Sequence, residues 1–318
     1  MSMDTRILGS GGPSVGAIGL GCMPMSLAYG GETQEDEAFR AIHRAIDLGM
    51  TLLDTADVYG PFTNEDLVGR ALEGRREEVV LATKAGQVVG PNGGYPLAID
   101  GRPEHIRAAI DASLLRLRTE VIDLYQLHRI DPVVPLEESW GVMAELVQAG
   151  KVRALGLSEA SVDEIQRARA IHPVASVQSE LSLWTRDHLA EVVPWCAANG
   201  VAFIPFSPLG RGFLTGTITA ASFDDEDFRA KNPRFTQASI DANLAIVERI
   251  RVVAERHGAT PAQIAIAWTL AQGPHVIPIP GTRRMRYVEE NAAAAAIRLS
   301  EQDMAELDAV PEAAGSRY

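Results

Sequence analysis

Cysteine is scarce: the 318 residues hold two, Cys22 and Cys196, far apart and in no CxxC pair. That spacing suggests neither a disulfide framework nor a thiolate zinc site. Long apolar runs are missing too. No stretch approaches the ~20 residues of a membrane helix, and the opening MSMDTRILGS lacks the apolar core of a secretory leader. A cytoplasmic protein with no membrane partner is expected. Positive charge is outnumbered, 29 Lys and Arg against 42 Asp and Glu, for a formal net charge of −13. A chain of that sign repels a phosphate backbone, so nucleic acid is not an expected partner. The seven histidines include no HxH or HExxH, and no metal is expected. Neither glycine cluster, GSGGPSVG from Gly9 or GAIGLG from Gly16, has GxGxxG spacing. A dinucleotide, if bound, is therefore not bound in the Rossmann manner.

What is present is 46% apolar and 22% charged residue, the composition of an ordinary globular chain with a sizeable core. Eight short apolar or β-branched runs predict strands at 18–22, 51–54, 79–83, 121–127, 152–157, 175–178, 201–206 and 275–279. Amphipathic stretches lie between them: Ile106, Ile110, Leu114 and Leu117 share one helical face, as do Leu136, Trp140, Met143 and Val147. Ser161 with Glu164, Thr260 with Gln263 and Ser300 with Asp303 read as capping signals, and Gly150, Gly200, Gly258 and Gly273 as helix stops. Pro194 must sit in a first turn or kink its helix.

Eight strand-then-helix units without a linker predict one domain over 1–318, an α/β (β/α)₈ barrel, in preference to an open doubly wound sheet. The segment TRILGSGGPSVG predicts a hairpin that closes the N-terminal end of the barrel. The stretches 85–102 and 207–238 exceed normal loop length and are expected to carry function at the C-terminal mouth.

Polar residues collect where the strands end: Asp54, Lys84, His128, Ser158 with Glu159, and Gln178. Tyr59 follows Asp54 by five residues. A phenol with a free pKa of ~10 is a poor donor near neutrality, and a neighbouring ammonium lowers such a pKa by roughly 1–3 units. Lys84 is expected to do this, with Asp54 keeping it charged and His128 orienting the oxygen that receives the proton. Each of these residues alone also fits a plain salt bridge or a packed side chain. Together they describe a site that protonates an oxygen as it gains charge.

The motifs LLDTADVYG (from Leu52), ATKAG (Ala82), DLYQLHRIDP (Asp123), GLSEAS (Gly156), VQSELSLW (Val177), FSPLGRGFLTG (Phe206) and IPGTRRMRYVEEN (Ile279) together resemble the aldo-keto reductase superfamily. The match runs through nearly the whole chain in order. The resemblance implies reduction of aldehydes or ketones, with NADPH as cofactor and NADH as the alternative nucleotide. It implies a catalytic tetrad of Asp54, Tyr59, Lys84 and His128, and a substrate pocket of Tyr29, Tyr59, His128 and Trp184. It further implies a cofactor site in which Gly21, Met23 and Asp54 lie near the nucleotide and Ser158, Glu159 and Gln178 hold the carboxamide. Phe206 would stack on the ring; Ser207, Leu209, Gly210 and Arg211 would line the pyrophosphate. Gly281, Thr282, Arg283, Arg284, Glu290 and Asn291 would take the adenosine end.

Three features depart from the common pattern. Glu159 stands where many members carry Asn, and a carboxylate accepts but cannot donate a hydrogen bond. Phe206 replaces a common tyrosine. Gly281 and Tyr287 stand where relatives carry Lys and Arg, leaving Arg283 and Arg284 to meet a 2′-phosphate at a helix start. Two other readings compete: a nucleotide-binding regulatory subunit of the potassium channel β type, and a lyase or isomerase using Lys84 as a Schiff base.

Overall fold

A computed structural model describes residues 3–26, 34–89, 98–224 and 227–318. Its strands are β1 (Thr5–Ile7), β2 (Ser14–Gly16), β3 (Leu20–Gly21), β4 (Leu52–Asp54), β5 (Val80–Ala85), β6 (Gln87–Val88) and β7 (Ala98–Ile99), then β8 (Ile122–Leu127), β9 (Val152–Ser158), β10 (Ser176–Glu180) and β11 (Ala202–Phe206). The helices are α1 (Glu35–Asp47), α2 (Thr63–Ala71), α3 (Pro103–Arg116), α4 (Leu136–Gln148) and α5 (Val162–Arg169), then α6 (Val192–Asn199), α7 (Gln237–His257), α8 (Pro261–Ala271), α9 (Met285–Ala293) and α10 (Glu301–Asp308).

Seven parallel strands run in the order β11-β10-β9-β8-β5-β4-β3, with helices between consecutive strands, as in a (β/α)₈ barrel. The eighth predicted strand, 275–279, is not a regular strand here. It closes the barrel all the same: Ile277 and Ile279 donate to Phe203 and Pro205 on one side, and Gly19 and Gly21 donate to Pro278 and Pro280 on the other. The two prolines have no N–H to return, so that last seam is bonded in one direction only. The chain also presses close there. A Cβ on Gly281 would stand 2.8 Å from Pro24 Cγ, so only glycine lets this segment lie beside residues 21–24.

The N-terminal hairpin forms as expected, β1 antiparallel to β2. Its Leu8 and Val15 are buried with Leu52, Ala82, Leu124, Ile204 and Ile277 inside the barrel, so it plugs the end opposite the site. The larger core lies between strands and helices, where Trp140, Tyr125 and Trp268 are fully buried. The loop after β5 carries a small hairpin, β6 with β7, that the sequence did not suggest; residues 90–97 lie outside the described residues.

The helix punctuation reads true. Ser161, Thr260 and Ser300 each complete a capping box with the residue three positions on, and Pro194 falls in the first turn of α6. Gly150, Gly200, Gly258 and Gly273 all stand at or just past helix ends with positive φ. The N-cap hydroxyl takes an otherwise orphaned N–H, so Ser161→Ala should lower stability by about 1 kcal/mol in urea unfolding. An unchanged midpoint would mean that solvent serves this helix end equally well.

Candidate active site

β4 and β5 pair in parallel, and each carries a charged residue at or next to its last position. Asp54 closes β4 and Lys84 sits near the end of β5, both buried, Lys84 completely. The Lys84 ammonium donates to Asp54 Oδ1 at 2.5 Å, to the Thr55 carbonyl at 2.8 Å and to the Tyr59 hydroxyl at 3.3 Å. Tyr59 lies on the loop after β4, half-buried, with its ring edge-on to His128 at 5.9 Å between centroids. His128 directly follows β8, and its backbone N–H is bonded to Ala85. The four expected catalytic residues thus converge, although they span 75 positions in sequence (128 − 54 + 1).

Two amides that sequence reasoning did not assign to the tetrad complete it. Asp54 Oδ2 accepts from Gln178 Nε2 at 2.8 Å and from Gln126 Nε2 at 3.1 Å, and Gln178 also donates to Gln126 Oε1. Gln126 was missed, though a polar residue interrupting the apolar run of β8 was a readable signal. Three donors thus fix one buried carboxylate in place beside the ammonium.

Burial works against the Lys84 ammonium, but Asp54 and Tyr59 outweigh it and leave Lys84 above its ordinary pKa. The expectation for Tyr59 needs correction. Its pKa is raised, because burial costs the phenolate more than the Lys84 charge returns. Tyr59 is therefore firmly protonated in this state, as a proton donor must be. Burial, then the Lys84 and Arg129 charges, push His128 far below the usual histidine range. It is neutral, and its buried Nδ1 has no hydrogen-bond partner among the described residues.

The sign of the His128 shift gives a pH test. Above pH 6.5 the imidazole is neutral folded and unfolded, so it adds no pH dependence. Below that, the unfolded chain takes up a proton that the folded site refuses, and stability falls by up to about 1.4 kcal/mol per pH unit. His128→Phe should therefore lose less stability than wild type between pH 7 and pH 5, by about 1–2 kcal/mol, in urea unfolding. Parallel pH curves for the two proteins would contradict a buried neutral imidazole.

The residues expected at a cofactor fall at strand ends, on the loop after β11 and around the start of α9. Gly21 bridges to Gly281, with Met23 in the short turn that follows. Ser158 ends β9 and is buried; its hydroxyl accepts from Arg129, another residue the sequence reading did not single out. Phe206 ends β11. The loop beyond it is bent by positive φ at Ser207, Gly210, Arg211 and Gly212. Gly210 also lies against Trp184, where a Cβ would come within 2.7 Å of the indole. Leu209 is half-buried against the core. Thr282 accepts from the Arg284 N–H at the start of α9, whose N-cap is Arg284 with Arg283 just before it. Asn291 is buried, and the Glu290 carboxylate takes the Thr260 hydroxyl at the N-cap of α8.

Other expectations fare differently. Trp184, expected at the substrate, is 3% exposed and stacked on Phe213 at 4.8 Å, with Phe235 edge-on and the Arg234 guanidinium over its ring. As it stands it packs the wall of the mouth, because these neighbours cover its apolar faces. Tyr29 lies outside the described residues. Glu159 is neither free nor alone: it is paired with Arg317, which no local pattern announced. Among the described residues, no group of three His, Cys, Asp or Glu could hold a metal ion, and no helix is long and apolar enough to cross a membrane.

The chain is similar to several proteins named as oxidoreductases. A protein from Glycine max described as probable aldo-keto reductase 1 is 45% identical over 315 residues, covering 98% of this chain and 90% of its own length. The glycerol dehydrogenase of Gluconobacter oxydans superposes with a TM-score of 0.88 at 32% identity, covering 98% of this chain and 95% of that one. An aldo-keto reductase from Klebsiella pneumoniae, solved in complex with NADPH, gives 0.77 at 27% identity over 97% and 94% of the two chains. A profile of the aldo/keto reductase family matches residues 17–312, and the chain belongs to that family.

Proposed function

We propose that this protein reduces aldehydes or ketones to alcohols, with NADPH as hydride source and Tyr59 as the general acid. The observation that carries the proposal is the buried Lys84 ammonium bonded at once to Asp54 and to the Tyr59 hydroxyl. The bound nucleotide supplies hydride to the carbonyl carbon. Tyr59 gives its proton to the carbonyl oxygen, and Lys84 stabilises the phenolate left behind. Neutral His128 hydrogen-bonds the same oxygen without competing for the proton. Because its ion pair keeps Lys84 charged, it is a poor amine nucleophile, which argues against the Schiff-base reading.

The donor set fits a nicotinamide dinucleotide. Phe206 offers an aromatic face, the close approach of Gly281 to Gly21 leaves bare backbone, and the N-terminus of α9 gathers arginines. Cations at a helix N-terminus oppose its dipole unless an anion joins them. The Klebsiella pneumoniae relative solved with NADPH supports this nucleotide. Arg283 and Arg284 are assigned to its 2′-phosphate, Ser207, Leu209, Gly210 and Arg211 to the pyrophosphate, and Glu290 and Asn291 to the adenosine.

Absorbance loss of NADPH and NADH against a panel of aldehydes, ketones and sugars tests the activity. Steady NADPH consumption with at least one class is expected; none with any would defeat the proposal. In fluorescence titration NADPH should bind roughly tenfold more tightly than NADH, with Arg283→Ala or Arg284→Ala erasing most of the difference. Equal affinities in the wild type would remove the phosphate assignment.

A further inference from the structure

Glu159 and Arg317 meet at the mouth across more than 150 residues. Arg317 Nη2 stands 2.6 Å from Glu159 Oε1, and its Nε donates to Glu180 Oε2 at 2.8 Å. The same Glu159 oxygen accepts the Glu180 N–H at 2.8 Å. The segment around Arg317 is tied down although it lies beyond α10 and forms no helix or strand. Arg211 and Asn232 both donate to the Arg317 carbonyl, and Asn243 exchanges two hydrogen bonds with Ala314. Glu159 is held at φ +57, a left-handed conformation that costs a residue with a Cβ.

Two polar atoms of the pair are left over. Glu159 Oε2 and Arg317 Nη1 have no hydrogen-bond partner among the described residues. One is an acceptor and the other a donor, and they belong to groups already joined. An acceptor and a donor are the two functions a primary amide needs from its partners, here available from two ions. It lies beside an aromatic ring: the Arg317 guanidinium carbon is 5.7 Å from the Phe206 centroid, within cation–π range but beyond the ~3.5–4 Å of flat contact. Phe206 pairs in register with Glu180, so ring and ion pair share one level of the barrel.

We propose that Arg317, paired with Glu159, recognises the nicotinamide carboxamide, Glu159 Oε2 accepting from the amide N–H and Arg317 Nη1 donating to the amide carbonyl. The inference rests on the reading that a nicotinamide nucleotide lies against Phe206. It resolves the difficulty that a carboxylate at position 159 can serve only half of a carboxamide. The Arg317 donors supply the other half, and the ion pair fixes where they point.

Intrinsic-fluorescence titration with NADP⁺ and with 2′,5′-ADP, which lacks the nicotinamide half, tests the pair by binding alone. Arg317→Leu should weaken NADP⁺ by roughly ten- to hundredfold and leave 2′,5′-ADP within about twofold of wild type. Arg317→Lys keeps the charge and the docking partners but loses the planar fork, and should weaken NADP⁺ by roughly tenfold. The double variant Glu159→Asn with Arg317→Leu rebuilds the amide face in one side chain and should regain most of the loss, which a merely structural tail would not do. The proposal is overturned if Arg317→Leu binds NADP⁺ as well as wild type. It is overturned equally if that variant binds more tightly, which would make the tail a plug, or if the double variant binds no better than the single. A wild type that binds neither probe defeats the nucleotide reading itself; a wild type that binds NADP⁺ beside an unimpaired Arg317→Leu defeats only the pair.

Discussion

Tyr59→Phe should lower turnover by about 10²–10⁴-fold while nucleotide affinity stays within about twofold of wild type. The substitution removes one oxygen and keeps the ring that meets His128 edge-on. Among the described residues the only polar contact given up is the 3.3 Å bond from Lys84, which retains its bonds to Asp54 and to the Thr55 carbonyl. The site therefore keeps its shape and its charge and loses only the proton. Transition-state stabilisation lost in this way appears in kcat and kcat/KM together, with little change in nucleotide binding. Turnover within a few-fold of wild type would remove Tyr59 as the acid, whatever the nucleotide does.

The raised pKa of Tyr59 adds a direction to this expectation. Burial keeps the phenol protonated before reaction, so the acid limb of a wild-type pH profile should be flat and reduction should fall only on the alkaline side. The tetrad does not make Tyr59 acidic in advance. The ammonium beside it waits for the charge that develops as the proton leaves, which is where preorganised electrostatics act most strongly.

Much of this was legible in the sequence because barrel strands are short, buried and punctuated. The runs ending in Asp54, Lys84 and His128 announced three strand ends, and the barrel rule turned strand ends into a site. Capping residues at Ser161, Thr260 and Ser300 bonded as their spacing implied, since a capping box depends on four consecutive residues. What escaped was decided by long-range packing. Gln126 reaches Asp54 over 72 residues and Arg317 reaches Glu180 over 137, and no periodicity encodes such partners. The segment 275–279 was sound as a barrel element but not as a regular strand, because Pro278 and Pro280 remove the donors that would complete one ladder. For Tyr59, residue types alone named both opposing influences but not the burial that decides between them. Trp184 shows the same dependence: its packing against Phe213 and Phe235 is set by the fold and is not encoded in its residue type.

Lys84→Met should cost both catalysis and stability, and separating the two costs shows what the lysine does. The side chain is fully buried, and removing it leaves Asp54 with the Gln126 and Gln178 amides as its side-chain partners among the described residues. Breaking one side of such a pair costs about 3–5 kcal/mol, a loss on the order of 10 °C in thermal midpoint for a chain of this size. Adding Asp54→Asn removes the stranded charge, so the double variant should recover most of the lost stability. It should not recover turnover, because the ammonium that meets the Tyr59 phenolate is still absent. Asp54→Asn alone leaves Lys84 beside Tyr59 and should slow catalysis less than Lys84→Met, since the carboxylate acts on the phenol only through the lysine. The checks are thermal unfolding followed by circular dichroism and single-turnover reduction at saturating NADPH. A double variant that regains activity along with stability would reduce the pair to a structural salt bridge, and one that regains neither would show that the buried amide network, not the ion pair, holds this end of the barrel together.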